Sequence, residues 1–363
     1  MRILIAADLV PTKNTSADFA EGNVERLFGK VKDVADGCDR FIVNLECALT
    51  KSNNAIKKFG PNLKGPKSTA QTMKTLGVTD VALANNHVFD FGIEGLTDTV
   101  SALDGVGLPY FGIGENDTDS RRPYFIEAEG KRIAVVNVCE HEYTYALPDR
   151  MGANPFDPFL TMQDIRKAKA ESDFLIVLYH GGKEYAAYPS PRLRALCHEM
   201  VYCGADAVIT QHSHCIGCYE KFEGAHILYG QGNFNFSYAE FSNYRECWMS
   251  SLLTVLTVTD KINIEFIPIY DTNHGCDVAE GERAEKIMRE FSERNEELKD
   301  GRWLDGWERF CHSDIMPRYV AIARGTIDDV EDKEELFAHY LDCEAHTDVW
   351  RTIFKTWNYT NEK

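Results

Sequence analysis

Five apolar runs in this chain each stop at a residue that can bind a metal or move a proton. Asp8 follows residues 2–7, and Asn44-Leu45-Glu46 ends the run that starts at Arg40. Asn85-Asn86-His87 follows Val81–Ala84. His180-Gly181-Gly182 follows Phe174–Tyr179, and Gln211-His212-Ser213-His214 follows Ala207–Thr210. Singly, an Asp or Asn after a strand caps a turn as readily as it serves a site. Jointly, imidazole nitrogens and carboxylate oxygens form the donor set of zinc, manganese and iron. His212 and His214, two apart after a strand, suit metal ligation best. A carboxylate can bridge two ions about 3.5–4 Å apart, and such ions bring the pKa of bound water down to about 7, giving hydroxide at neutral pH. Glycine beside His180 lets a substrate or a metal approach the backbone.

The elements that must position these residues alternate. Near-continuous apolar runs at 2–7, 40–44, 79–84, 132–138, 173–179, 206–210 and 226–230 read as buried strands. Helical periodicity separates them at 18–36, 67–76, 93–104 and 190–203, the last stopped by Gly204. Residues 123–138 read as a hairpin turning at Glu129-Gly130-Lys131, and 250–269 as a second turning at Asp260-Lys261. This pattern predicts a layered α/β fold over residues 1–270. In such sheets ligands bind beyond the carboxyl ends of the strands, so the five tips are expected to converge. From 271 the texture becomes acidic and helical. Residues 278–299 carry Ile287, Met288, Phe291 and Leu298; Thr326–Asp329 resembles a capping box; Trp350, Ile353, Phe354 and Trp357 fall at helical spacing. Residues 271–363 are read as a helical appendage packing back on the core.

The 363 residues carry a formal net charge of -18. An acidic chain repels nucleic-acid backbones and anionic membrane surfaces, so a general nucleic-acid binder is disfavoured. No run of eighteen apolar residues exists, which argues against membrane insertion, and no signal peptide is recognisable before Asp8. Eleven cysteines, an odd number without framework spacing, suggest reduced thiols and a cytoplasmic protein.

Lesser candidates surround this set. Lys57, Lys58, Lys64 and Lys67 form a basic loop, a solvated segment or a rim for an anionic substrate, with Lys64 the residue expected to bind it. Lys183 and Tyr185 follow His180 and either bind substrate or only cover the site. Cys215 and Cys218 form a single CxxC, read as structural thiols. His141, His198, His226, His274, His312, His339 and His346 show no mutual spacing that suggests a site.

Asn-Leu-Glu at 44–46, Ala-Asn-Asn-His at 84–87 with Asp90 and Gly92, His-Gly-Gly-Lys-Glu-Tyr at 180–185, His-Ser-His at 212–214 and Tyr-Gly-Gln-Gly-Asn-Phe at 229–234 together resemble the CapA family of capsule and poly-γ-glutamate synthesis proteins, related to calcineurin-like metallophosphatases. The resemblance covers about residues 1–270. It implies a four-layer αββα metallophosphatase-like sandwich, here with the C-terminal helical appendage. It also implies one or two divalent ions (Mn, Fe or Zn): Asp8 and His214 on one, Asn86, His180 and His212 on the other, and Glu46 bridging. His87 would protonate the leaving group or steady the transition state rather than bind metal. Three positions depart from the metallophosphatase pattern. Val10 stands where a ligand histidine is usual, Glu46 replaces an aspartate, and Gln211 and Ser213 differ from the usual residues. The implied activity is a metal-dependent hydrolase acting on an anionic substrate, either a phosphoester or a poly-γ-glutamate-like amide. The rival is a non-catalytic, metal-binding accessory protein of polymer synthesis. His87, unnecessary for holding metal alone, favours the enzyme; Val10 favours the accessory protein.

Overall fold

Along the first strand, Arg2–Leu9, the side-chain period of two sorts the apolar residues onto opposite faces. Leu4 and Ala6 join one buried cluster, Ile3 and Ile5 another. The first cluster takes Val43, Val81 and the helix residues Phe19, Leu27, Met73, Leu96 and Leu103. The second interleaves Ile3, Ile5 and Ile42 with Ile176, Leu178, Ile209 and Leu228 from a different sheet. A third packs the far side of that second sheet, through Leu175, Val177 and Val208, against Ile165, Cys197 and Met200 of two helices. Three clusters between four layers make an α/β/β/α sandwich. Each fully buried Leu or Ile contributes roughly 1.5–3 kcal/mol. The computed structural model describes residues 1–128, 130–140, 143–237, 246–327 and 333–354.

The first sheet runs, in spatial order, Cys276–Val278, Ile262–Asp271, Ser250–Val258, Arg2–Leu9, Arg40–Leu45, Asp80–Ala82 and Tyr110–Phe111, with Asn233–Asn235 also pairing the first strand. The four from Arg2–Leu9 to Tyr110–Phe111 are parallel. The second runs Ile216–Phe222, Ala225–Gln231, Ala207–Gln211, Phe174–His180, Lys131–Cys139 and Tyr124–Ala128, parallel at its centre and antiparallel at both edges. Buried glutamines stitch the sheets together. Gln211 Nε2 donates to Ala6 O (3.3 Å) and Gln231 Oε1 (3.1 Å), while Gln231 Nε2 donates to Ile5 O (2.7 Å) and Leu252 O (3.0 Å).

Several boundaries differ from the sequence expectation. The helix expected over 18–36 is three short ones, Ser16–Glu21, Val24–Phe28 and Val31–Asp36. Gly22 and Gly29 break it with φ of +74° and +45°. The sheet continues past 271, because Cys276–Val278 pairs with the preceding strand. Helices follow from Gly281–Asp300, whose Ile287 and Phe291 enter the core between the sheets. The remaining helices, Trp303–Arg309, Met316–Ala323, Lys333–Asp342 and Glu344–Ile353, gather a fourth cluster around Trp307, Tyr319, Leu336 and Val349. Phe354 ends the last helix and is 60% exposed, so it does not continue that apolar face. Trp357, His141, the hairpin residue Glu129 and the capping-box residues Asp328 and Asp329 lie outside the described residues.

Candidate metal centre

The parallel strands of both sheets end on the same side, and their tips meet. From the first sheet come Asp8, Glu46 and Asn86; from the second, His180, His212 and His214. All six are buried. Donor atoms of Glu46, His180 and His212 lie within 4.8 Å of one another, as do those of Asp8, Glu46 and His214. Glu46 thus belongs to both triads. Its Oε1 lies 3.3 Å from His180 Nε2, and Asn86 Oδ1 lies 2.9 Å from the same nitrogen.

A layer of amides orients these groups. Asn44 Nδ2 donates to Asp8 Oδ1 at 2.7 Å and approaches His180 Nδ1 at 3.2 Å. Asn85 Nδ2 donates to Asn44 Oδ1 at 3.0 Å and to Leu45 O at 2.8 Å, locking the second and third tips together. The His212–His214 turn is strained, with φ of +88° and +55° at non-glycine residues, a conformation costing of order 1 kcal/mol or more each. It is held by the His212 amide on Asp8 Oδ2 (3.2 Å) and by Asn233 Oδ1 beside His214 Nδ1 (2.8 Å). The glycines after His180 are required by the fold, and Gly182 also lines the chamber beside the tips. A Cβ on Gly181 would stand 2.5 Å from the Glu140 side chain, and Gly182, at φ +95°, donates its N–H to Glu140 Oε2 at 2.5 Å.

The electrostatics fit a cation. Burial, then the Asp8 charge, pushes the Glu46 carboxyl well above its ordinary range. Neither Glu46 oxygen has a hydrogen-bond partner among the described residues, and neither does His212 Nδ1. Unpaired buried carboxylate oxygens are expensive unless a cation or proton meets them. Burial lowers His180 to about 4, and burial with the His180 charge lowers His212 to about 3, leaving both neutral as ligation requires. Burial opposes protonation of His214, yet its hydrogen bond to Asp8 and the Glu46 charge raise it to about 9. Burial would raise Asp8, but His214 and the charge of His180 outweigh it and hold it below its usual value. Val10 is wholly buried in the apolar cluster on the helix side and offers no ligand.

His87 stands apart from both triads. Its Nδ1 lies 2.6 Å from Asp90 Oδ2 and 3.1 Å from Lys58 Nζ, and Lys58 and Asp90 form a buried ion pair. Burial, then the Lys58 charge, lowers His87 to about 4. With Asp90 on Nδ1, the remaining ring nitrogen is the one available to a reacting group. The ring lines a chamber of about 280 Å³ together with Asn86 and His212. Lys58, Lys183 and Glu184 share that wall. Burial would raise Glu184, but Lys183 and three imidazoles hold it at about 2.

Two expected substrate residues are placed elsewhere. Lys64 donates to Ser52 O (2.6 Å) and Asn53 Oδ1 (3.0 Å) and stacks over Phe91, away from the chamber. Lys58 of the same basic loop takes the inward place, because its ammonium has Asp90 to pair with. Tyr185 leans on Trp248 and gives its backbone N–H to Ser213 O at 2.8 Å, so it braces the histidine turn. The sequence placed Lys58 only within the basic loop, singled out neither Glu184 nor Asn233, and set aside His339 and His346, which line the same chamber from the C-terminal helices. Asn233 sits in the Tyr-Gly-Gln-Gly-Asn-Phe motif and Glu184 in His-Gly-Gly-Lys-Glu-Tyr; for His339 and His346, linear spacing carries no signal. Cys215 and Cys218 are buried thiols that are not joined in a disulfide. Among the described residues no helix is long and apolar enough to cross a membrane.

Comparison with known proteins agrees with the tip motifs. The chain is 32% identical over 181 residues to the capsule biosynthesis protein CapA of Bacillus anthracis, covering 48% of this chain and 44% of that protein. It is 28% identical over 218 residues to the PGA biosynthesis protein CapA of Bacillus subtilis, covering 58% and 57%. It therefore spans about half the length of these curated relatives. A solved structure of a novel phosphatase from Mycoplasma pneumoniae superimposes with a TM-score of 0.44 at 14% identity, covering 76% of this chain and 95% of that one. The family model for the bacterial capsule synthesis protein PGA_cap matches residues 2–238, a segment that contains all six tip residues, and the chain belongs to that family.

Proposed function

We propose that this chain is a metal-dependent hydrolase of an anionic substrate, with two divalent ions held on either side of Glu46. The observation that carries this reading is the Glu46 carboxylate itself: buried, common to both ligand triads, and without a hydrogen-bond partner on either oxygen among the described residues. Asp8 and His214 would hold one ion, and Asn86, His180 and His212 the other. Bound there, such ions would polarise the scissile bond and bring the pKa of water toward neutrality.

The protein's own groups do the rest. Asn44 and Asn85 hold the ligands in register, which spares reorganisation during reaction. Asp90 fixes the His87 ring so that its other nitrogen meets the leaving group or the developing charge. Lys183 and Lys58 supply positive charge around the chamber in an otherwise acidic protein. Membership of the capsule synthesis family supports an acidic polymer or its precursor, with an amide bond; the donor set supports a phosphoester equally.

The test joins metal analysis of purified protein to a hydrolysis screen with and without Mn²⁺, over a phosphomonoester, a phosphodiester and a γ-glutamyl oligomer. Metal uptake with turnover of at least one anion supports the reading. Metal uptake with no turnover of any class replaces it with a non-catalytic, metal-binding accessory role.

A further inference from the structure

The family match ends at residue 238, yet the wall of the metal chamber does not. Of the residues facing the 280 Å³ chamber, His339, Tyr340, Cys343, Ala345 and His346 belong to the last two helices. These helices are tied down on both sides of the opening. On one side Lys57 pairs with Glu335, and Phe59 packs on His339 and Tyr340 with ring centroids 5.5 and 6.2 Å apart. On the other, Ala186 enters their apolar cluster, and Arg192 bridges Asp348 to Glu140, the acceptor of the Gly182 amide. A second cavity of about 360 Å³ adjoins the chamber, sharing Lys58 and His339 as common wall.

His346 is the informative member. It is only 7% exposed, and its ring stacks on Tyr340 with centroids 4.0 Å apart. Its Nδ1 meets the Tyr319 hydroxyl, while its Nε2 has no hydrogen-bond partner among the described residues. If the Tyr319 O–H donates to Nδ1, the ring proton sits on Nε2, as a fixed donor in the chamber wall. The Lys183 carbonyl accepts the Ala186 N–H at 3.2 Å, while its ammonium, on the same wall, has no hydrogen bond or ion pair among the described residues. Glu184 is the one carboxylate among the described residues lining the chamber.

Resting on the metal-centre reading above, we propose that the C-terminal helices make the site end-selective: His346 Nε2 and Lys183 bind the terminal anionic group of a substrate, and the roofed chamber admits only that end unit or a small free anion. About 280 Å³ lies at the lower edge of small-molecule sites, too small for an acidic chain to pass through. The preceding units of a longer chain would lie in the neighbouring cavity beyond Lys58 and His339.

The test is calorimetric titration of the full chain, metal-free and Mn²⁺-loaded, with inorganic phosphate, with a γ-glutamyl oligomer bearing free ends, and with the same oligomer capped at both ends. Two variants accompany the wild type. His346→Asn keeps an acceptor near the Nδ1 position for Tyr319 but loses Nε2, whereas His346→Gln restores a donor near Nε2. The phosphate and free-end arms distinguish a phosphate from a carboxylate as the anion. The expected result is binding of at least one of these two probes, weakened about tenfold or more in His346→Asn, a step of about 1.4 kcal/mol. His346→Gln should stay within about threefold of wild type, the capped oligomer should bind about tenfold or more weakly than the free one, and Mn²⁺ uptake should be unchanged in both variants. Equal anion affinity in wild type and His346→Asn, or equal affinity for capped and free oligomers, overturns the proposal. No Mn²⁺ uptake by wild type overturns the metal-centre reading instead, so the two failures are separable.

Discussion

His214 Nδ1 lies 3.4 Å from Asp8 Oδ2 and 2.8 Å from Asn233 Oδ1, so one ring edge sits between two acceptors. The metal-free ring keeps a proton up to about pH 9, because the Asp8 hydrogen bond and the Glu46 charge outweigh burial. Burial and the Asp8 charge push Glu46 well above its ordinary range, while His180 and His212 are already neutral at pH 7. Filling both sites at pH 7 should therefore expel protons, the His214 proton among them. Mn²⁺ titrations in buffers of different ionisation enthalpy count them. His214→Asn should reduce the release by about one. The Asp8–His214 site, which carries this proton and has Val10 in place of another ligand, should be the weaker one. An unchanged proton count in His214→Asn would show that the ring is not protonated there.

Glu46→Gln separates function from stability. The wild-type carboxylate is buried beside Asp8 with no hydrogen-bond partner among the described residues. Its raised pKa means that the metal-free fold loses stability as pH rises above the ordinary glutamate value, so the neutral amide should relieve the strain. We expect the metal-free variant to match or exceed wild-type thermal stability at pH 7, by up to about 1–3 kcal/mol. Because both triads share Glu46, affinity at both metal sites should fall. A variant that is destabilised and still loads two ions would contradict the shared-ligand geometry.

His87→Asn should lower turnover by about 10²–10⁴-fold with metal content near normal, since the ring touches Asp90 and Lys58 but neither ligand triad. Lys58→Met should also impair catalysis, because it leaves Asp90 without its buried partner. Lys64→Ala should leave kcat/KM within about twofold, its ammonium being committed to Ser52 and Asn53. Steady-state kinetics on one active substrate, with metal measured on each sample, decides all three. A strong Lys64 effect would restore the original view of the basic loop.

The convergence of the tip residues was legible because the strand period is short and local. An apolar run followed by Asp, Asn or His marks a tip whatever lies elsewhere, and parallel pairing brings the tips to one edge. The four-layer order was legible only through family resemblance, since periodicity cannot say which buried strands share a sheet. The roof over the site was illegible. His339 and His346 have no mutual spacing that marks ligands, and their role depends on Lys57, Phe59 and Ala186, more than 150 positions away. Lys58 and Lys64 differ in role only because Asp90 lies under one of them. The 18–36 helix failed for a local reason: Gly22 and Gly29 outweighed an amphipathic pattern.

The last prediction concerns the anchor that joins the roof to the metal loop. Arg192 meets Glu140 Oε1 through one nitrogen and both Asp348 oxygens, each at 3.0 Å, through another. Glu140 also accepts the Tyr179 hydroxyl at 2.7 Å and the Gly182 amide, and Asp348 accepts Ser190 Oγ at 2.5 Å. Both carboxylates are buried, so Arg192→Met leaves Glu140 without its ion partner and Asp348 with Arg351 at 3.9 Å, and removing one partner of a buried pair costs about 3–5 kcal/mol. Asp348→Asn should behave differently. Burial raises Asp348 to about 6 despite Arg192. The folded chain then holds a proton that the unfolded chain releases near pH 3.8, so the stability attributable to Asp348 declines as pH rises from about 4 to about 6. The wild-type stability advantage over Asp348→Asn should shrink across that window and stay level above it. Denaturant melts of wild type, Arg192→Met and Asp348→Asn at pH 4, 5, 6 and 7 measure both effects. A flat wild-type-minus-Asp348→Asn difference would remove the buried, proton-holding carboxyl from the anchor, and an Arg192→Met loss below about 1 kcal/mol would show that the network does not hold the roof.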